Sequence, residues 1–244
     1  MQPQITRRHI ADLDCRVVST GEEITNVAIF CHGFGAPGTD LVPLGEELLR
    51  ALPELQGYQF IFPAAPIDMT EYGLPGGRAW WMIDIVKLQQ AAEQGDFRDL
   101  RKESPEDLPV VRGSMLALIE EVKHETRLPL SQFVLGGFSQ GSMLATNITL
   151  HLEEKPGGLI VWSGTLLNED VWRPLASTLA GVPIMQSHGH QDPILPFEAA
   201  QWLHQMFEEG GATASFVEFH GGHAIPPQAF MGAAELLKQV CSHV

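Results

Sequence analysis

Basic residues are scarce in this chain of 244 residues: 15 lysines and arginines stand against 30 aspartates and glutamates, for a net charge of -15. A phosphate backbone is held by clustered Lys and Arg, so nucleic acid is excluded as a partner class, and an anionic lipid surface is disfavoured for the same reason. Cysteine is scarce too. Cys15, Cys31 and Cys241 are odd in number and have no metal-like spacing, so no disulfide framework is expected. Cys31, inside Val27-Ala28-Ile29-Phe30, reads as a small core residue. No apolar run of signal-peptide length follows Arg7-Arg8, and none approaches the ~18 residues of a spanning helix. The expectation is a cytoplasmic protein without stable membrane insertion. Internal repeats and low-complexity tracts are also missing. What remains is 44% hydrophobic content, enough for the core of one α/β domain over residues 1–244 and little for a second. A monomer and a homodimer are both compatible with this composition.

The pattern of apolar runs alternates between strand and helix. Strands are expected at Arg16 to Val18 (as an early edge strand), Val27 to Cys31, Tyr58 to Phe62, Phe133 to Leu135, Leu159 to Trp162, Pro183 to Ser187 and Ala214 to Phe219. Helices are expected over Leu41 to Leu52, Pro109 to Lys123, the run after Ser139, Glu169 to Leu179, Phe197 to Glu209 and Pro226 to Val244. Alternation of this kind argues for a doubly wound, mainly parallel sheet flanked by helices. Residues 67–109 are the irregular part, an excursion over the sheet edge that could cover a site.

The chemistry centres on Gly137-Phe138-Ser139-Gln140-Gly141, where an apolar strand breaks and a helix begins. A serine on such a tight strand-to-helix elbow points its hydroxyl out of the sheet, and the flanking glycines let strand and helix approach. An ordinary glycine-rich turn is the alternative. A serine hydroxyl is a weak nucleophile without a base, so a histidine and an orienting carboxylate must follow in the chain. Two later strand ends supply them: Ser187-His188-Gly189-His190-Gln191-Asp192-Pro193 and Phe219-His220-Gly221-Gly222-His223. His220 continues its strand, whereas His223 lies beyond two glycines in a loop, so His223 is the better base. Asp192 is the acidic residue of its loop, while Asp170, Glu198 and Glu218 fall on expected helices or mid-strand. His188, His190 and Asp192 also spell His-x-His-x-Asp, a metallohydrolase-like string, but no second ligand cluster accompanies it. The chemistry as read needs neither metal nor other cofactor.

Taken with His32-Gly33-Phe34-Gly35, Phe62-Pro63-Ala64-Ala65-Pro66, Arg78-Ala79-Trp80-Trp81-Met82-Ile83-Asp84 and Asp192-Pro193-Ile194-Leu195-Pro196, these motifs resemble the α/β-hydrolase group of acyl-protein thioesterases and bacterial phospholipase/carboxylesterases. The resemblance implies an α/β-hydrolase fold, Ser139 as nucleophile with Asp192 and His223 as partners, and an oxyanion hole from the backbone N–H groups of Phe34 and Gln140. It implies a serine carboxylesterase acting on small-molecule esters or thioesters through an acyl-enzyme. Thioesterase or lysophospholipase activity, an acyltransferase and a peptidase are the alternatives. The chain departs from the group at Ala36-Pro37 and in a longer stretch over residues 87–109, both at the rim of the site. Trp80, Trp81, Phe138 and Leu195 are candidate substrate contacts, as is Arg78 for an anionic end. For the tryptophans the competing role is core packing; for Arg78 it is a structural ion pair.

Overall fold

The strand Asn26–Cys31 is buried along its whole length, which is possible only where a sheet is covered on both faces. A computed structural model of the chain describes residues 2–83 and 100–241. Within them β1 (Gln4–Ile10), β2 (Leu13–Ser19), β3 (Asn26–Cys31), β4 (Tyr58–Pro63), β7 (Phe133–Phe138), β8 (Gly158–Trp162), β9 (Pro183–Gly189) and β10 (Thr213–Phe219) form one sheet, in the order β1-β2-β4-β3-β7-β8-β9-β10. From β4 to β10 all neighbours are parallel, and β1 and β2 add antiparallel strands at one edge. Two short strands, β5 (Ile67–Asp68) and β6 (Arg78–Ala79), pair separately. Five helices of the described residues cross back between strands or follow the elbow: α1 (Val42–Ala51), α2 (Leu108–Thr126), α3 (Gln140–Leu150), α4 (Glu169–Leu175) and α5 (Phe197–Glu209). A last one, α6 (Pro227–Cys241), closes the domain.

Helical apolar stripes divide between the two faces. Val111, Met115, Leu118 and Val122 of α2 pack on one face with Leu144 and Ile148 of α3 and Leu203 and Phe207 of α5. Leu48 and Leu49 of α1 pack on the other face with Ala233 and Leu237 of α6, around Phe30, Phe60 and Trp162. Every residue of α3 is buried, so the helix that leaves the elbow is the interior helix of the domain. None of the helices described is long and apolar enough to cross a membrane.

Two expected elements differ. Arg16 to Val18 is not at the sheet edge, because β1 pairs outside β2 through the hairpin turn at Ala11 and Asp12. The sequence of β1, Gln-Ile-Thr-Arg-Arg-His-Ile, is mostly exposed and carries no apolar run to announce a strand. The helix expected over Glu169 to Leu179 is α-helical only to Leu175 and finishes as a 3₁₀ turn, with Pro174 removing a backbone donor at the junction. Of the excursion at 67–109, the stretch 84–99 lies outside the described residues, as do residues 242–244 at the end of the last expected helix.

The register places the site. Cys31 is paired with Gly137, Phe138 with Trp162, Trp162 with Ser187, and Gly189 with Phe219. The carboxyl ends of β3, β7, β8, β9 and β10 therefore share one edge, and the loops after them gather there. Strand order reverses beside β3, since β4 lies on one side of it and β7 on the other. Ligands of open α/β sheets bind outside such a reversal.

Candidate active site

Ser139 leaves β7 with φ +53° and ψ −121°, a region that a side chain with a Cβ rarely occupies and that costs about 1–3 kcal/mol. Surrounding structure holds it there. Its N–H donates to the Trp162 carbonyl at 2.9 Å, and its carbonyl accepts from the Ser142 N–H at 3.0 Å and the Ser142 hydroxyl at 2.7 Å. A Cβ on Gly137 or on Gly141 would run into the Cys31 carbonyl, so the glycines either side are required by contact between β3 and the start of α3.

The base and carboxylate come from two loops bonded to each other. The N–H of His190 donates to Phe219 at 2.9 Å and that of Gln191 to Gly221 at 3.0 Å; a Cβ on Gly189 would collide with the Gly221 carbonyl. In this frame His223 Nδ1 lies 2.6 Å from Asp192 Oδ2. The other carboxylate oxygen, Oδ1, accepts the N–H groups of Ile194 and Leu195, each at 2.9 Å. Burial works against the charge on Asp192. The His223 hydrogen bond and charge, together with those two N–H groups, outweigh it and hold the carboxyl below the usual aspartate range. With Nδ1–H given to Asp192, the lone pair of His223 falls on Nε2. The ring also packs against Phe138, centroid to centroid 4.7 Å. Ser163, in a left-handed conformation after β8, donates its hydroxyl to the Ala224 carbonyl at 3.2 Å and so ties down the His223 loop. Nothing in the sequence around Ser163 distinguishes it from any loop serine.

Ser139 and His223 share the wall of a cavity of about 580 Å³. Among the described residues no hydrogen bond joins the two side chains; such contacts are often long before substrate is present. The backbone N–H groups of Phe34 and Gln140 also take no partner among the described residues. Gly33 faces the nucleophile closely, the position of a Cβ there being 3.5 Å from the Ser139 Cβ. The rest of the lining is mostly apolar, with Trp81, Met82, Ile83, Leu100, Met143, Leu167, Ile194 and Leu195; Asp40, Glu103 and Glu106 add carboxylates, and among the described residues no Lys or Arg contributes.

Of the candidate substrate contacts, Trp81, Phe138 and Leu195 line this cavity and Trp80 and Arg78 do not. Trp80 is fully buried, its indole N–H donating to the His32 carbonyl at 2.8 Å. The chain bends at Trp80 and Trp81, just past the end of β6, and this turns one tryptophan into the core and leaves the next in the wall. Arg78 is structural: its guanidinium donates to the carbonyls of Ala65 and Pro66 and faces Asp68 at 3.8 Å. The His-x-His-x-Asp string does not converge either. His188 Nε2–H donates to the Leu195 carbonyl at 2.8 Å and lies 3.3 Å from Asp192, whereas His190 sits against Phe197 and Glu218. Among the described residues no group of three or more His, Cys, Asp and Glu is placed to hold a metal.

His32, at the root of the loop carrying Phe34, is 2% exposed. Its Nδ1–H donates to the Gly33 carbonyl at 2.8 Å and Nε2 accepts the Ala65 N–H at 3.0 Å. Burial pushes its pKa from 6.5 down to about 4. The unfolded chain thus takes up this proton before the folded one does. Stability from neutral His32 is complete above the unfolded value, declines as pH falls through the window between the two, and totals roughly 3 kcal/mol by linkage. His188, also lowered by burial, adds to the same trend. Urea midpoints should therefore drop between about pH 7 and pH 4.5, with a shallower slope in His32→Gln. An unchanged slope in that variant would contradict the assignment.

The sequence profile of the phospholipase/carboxylesterase group of α/β-hydrolases matches residues 13–241. Acyl-protein thioesterase 1 of Eremothecium gossypii is 27% identical over 227 residues, 91% of each chain. The protein of that name from Saccharomyces cerevisiae is 25% identical over 235 residues, 93% of this chain and 98% of its own. Among solved structures, esterase PE8 superposes with a TM-score of 0.77 at 20% identity, covering 98% of this chain and 100% of that one. A carboxylesterase from Mesorhizobium loti gives 0.73 at 17% identity, covering 97% and 99%. With an eight-stranded sheet of this order and a match over almost its whole length, the chain belongs to the phospholipase/carboxylesterase family and is a hydrolase of the α/β-hydrolase fold.

Proposed function

We propose that this hydrolase is a serine carboxylesterase that cleaves carboxylic esters or thioesters through an acyl-enzyme. The observation that carries the reading is the 2.6 Å contact between His223 and Asp192, on loops that open into the same cavity as the strained Ser139 corner. His223 Nε2 takes the Ser139 proton as the hydroxyl oxygen attacks the carbonyl carbon. Asp192 fixes the tautomer and stabilises the imidazolium. The Phe34 and Gln140 N–H groups receive the oxyanion, each such donor being worth about 3 kcal/mol of barrier. The alcohol or thiol leaves with the proton from His223, and water, deprotonated by the same ring, releases the acid. Trp81, Phe138 and Leu195 take the acyl group. The described flanks of the stretch 67–109 supply Trp81, Met82 and Ile83 to one side of the cavity and Leu100 with Glu103 to Glu106 to the other.

The names of the Eremothecium and Saccharomyces relatives favour a second reading, hydrolysis of thioesters on acylated proteins. Both use the same residues and differ in what the cavity accepts. The Asp40 and Glu106 carboxylates on its wall point to neutral or cationic esters over anionic ones. A panel of p-nitrophenyl esters and acyl thioesters from acetyl to palmitoyl, alongside fluorophosphonate labelling, tests the whole reading. One label per chain is expected on Ser139, with p-nitrophenyl butyrate turned over at least about tenfold faster than the anionic p-nitrophenyl hemisuccinate. No label and no turnover of any member would reject it.

A further inference from the structure

The side chain of Gln140 has no part in the chemistry described so far. It is completely buried and spends both ends of its carboxamide on one short stretch of backbone. Oε1 accepts the Trp80 N–H at 3.0 Å, and Nε2 donates to the Trp81 carbonyl at 2.8 Å. That stretch is in turn laced to the loop carrying Phe34. The Gly35 N–H donates to the Arg78 carbonyl at 2.8 Å and the Arg78 N–H to the Ala36 carbonyl at 3.1 Å. The Trp80 indole donates to His32 at 2.8 Å and its ring packs on the imidazole, 5.3 Å between centroids.

The sheet fixes this loop only at its root, where Cys31 pairs with Gly137. Beyond Gly33, its backbone bonds to described residues outside the loop run to Arg78. The path from the Phe34 amide to the Gln140 amide therefore runs through residues 78–81 and returns through one carboxamide. We infer that the Gln140 side chain is a positioning residue, which sets the separation of the two oxyanion donors by clamping the Trp80-Trp81 backbone to the elbow. The inference rests on the serine-hydrolase reading and assigns that site a further part. A carboxamide suits the task because it presents one acceptor and one donor side by side and keeps both at every working pH. In an apolar setting, losing either leaves a buried backbone group unpaired.

The test uses two variants of nearly equal size in the full-length protein. Gln140→Met removes both bonds. Gln140→Glu keeps the acceptor for Trp80, but when ionised it sets a charge against the Trp81 carbonyl; when protonated it regains a donor, and burial raises the pH at which that happens. Steady-state kinetics on p-nitrophenyl butyrate should show kcat down by roughly 10- to 100-fold in both variants at about pH 8, with KM changed less, since an ill-placed oxyanion donor weakens the transition state more than the ground state. The ratio of Gln140→Glu to wild type should climb as pH is lowered to about 5.5, and that of Gln140→Met should stay flat. Hydrogen exchange, which needs no turnover, should quicken over residues 33–38 and 78–83 in Gln140→Met.

Wild-type kcat in both variants, or a deficit in Gln140→Glu that does not depend on pH, would overturn the inference, as would unchanged exchange in those two segments. Inactivity of the wild type, or activity in Ser139→Ala, would instead count against the serine-hydrolase reading, and exchange would still decide whether the clamp holds the loop.

Discussion

Replacing Ser139 by alanine is expected to lower kcat on p-nitrophenyl esters by about 10⁴- to 10⁶-fold, with the melting temperature nearly unchanged. The substitution removes one oxygen and leaves the Cβ in place. Alanine meets the same backbone geometry, φ +53°, that serine already occupies, so no new strain enters. The bonds that hold the corner run through the Ser139 main chain to Trp162 and Ser142, and alanine keeps them. Loss of rate with retention of fold therefore isolates the hydroxyl. Residual activity above the uncatalysed reaction would come from the oxyanion donors and from binding. Turnover within tenfold of wild type would reject the nucleophile.

Asp192→Asn is expected to lower kcat by about 10⁴-fold, again with the loop kept in shape. The Oδ1 atom can go on accepting from Ile194 and Leu195, so the backbone around it has no reason to move. The change falls on the other oxygen, 2.6 Å from His223 Nδ1. An amide NH₂ there donates where the carboxylate accepted, and the ring must answer with a lone pair on Nδ1. Its proton then sits on Nε2, facing the cavity, where it cannot accept from serine. The pH profile supplies a second check. Because the Asp192 carboxyl is held below the ordinary aspartate range, the His223 pair contributes stability above the unfolded value and loses it only as pH falls through the lower, folded value. Urea midpoints of the wild type should thus keep this contribution until pH falls below the ordinary aspartate range, and Asp192→Asn should lack it. An Asp192→Asn variant with wild-type kcat would remove Asp192 from the mechanism.

What could be read from residue patterns was whatever leaves a local trace. The strand Val27 to Cys31 is an unbroken apolar run because both its faces are covered, and Phe197 to Glu209 is a helix bounded by a proline and two glycines. The glycines at 137 and 141 are visible because contact with β3 excludes any other residue. Features set by distant parts of the chain left no such trace. β1 exists because β2 offers it an edge. Met82, Ile83, Leu100, Met143 and Leu167 are apolar residues like many others until the fold brings them to one cavity. Trp80 and Trp81 could not be told apart without knowing how the chain bends after Ala79. Arg78 is the reverse case: the residue pattern left a substrate contact and a structural ion pair both open, and its described partners are the carbonyls of Ala65 and Pro66 and the carboxylate of Asp68.

The seam between the two loops that carry Asp192 and His223 sets where this molecule can change. With Gly189 pressed on Gly221 and two backbone bonds across the join, an insertion in either loop would have to break the other, and new substrate range could not easily arise there. Across the cavity, the wall at 81–83 and 100–106 belongs to no strand of the sheet. Descendants of this chain that take larger or differently charged esters should differ on that bank, while the seam keeps its length.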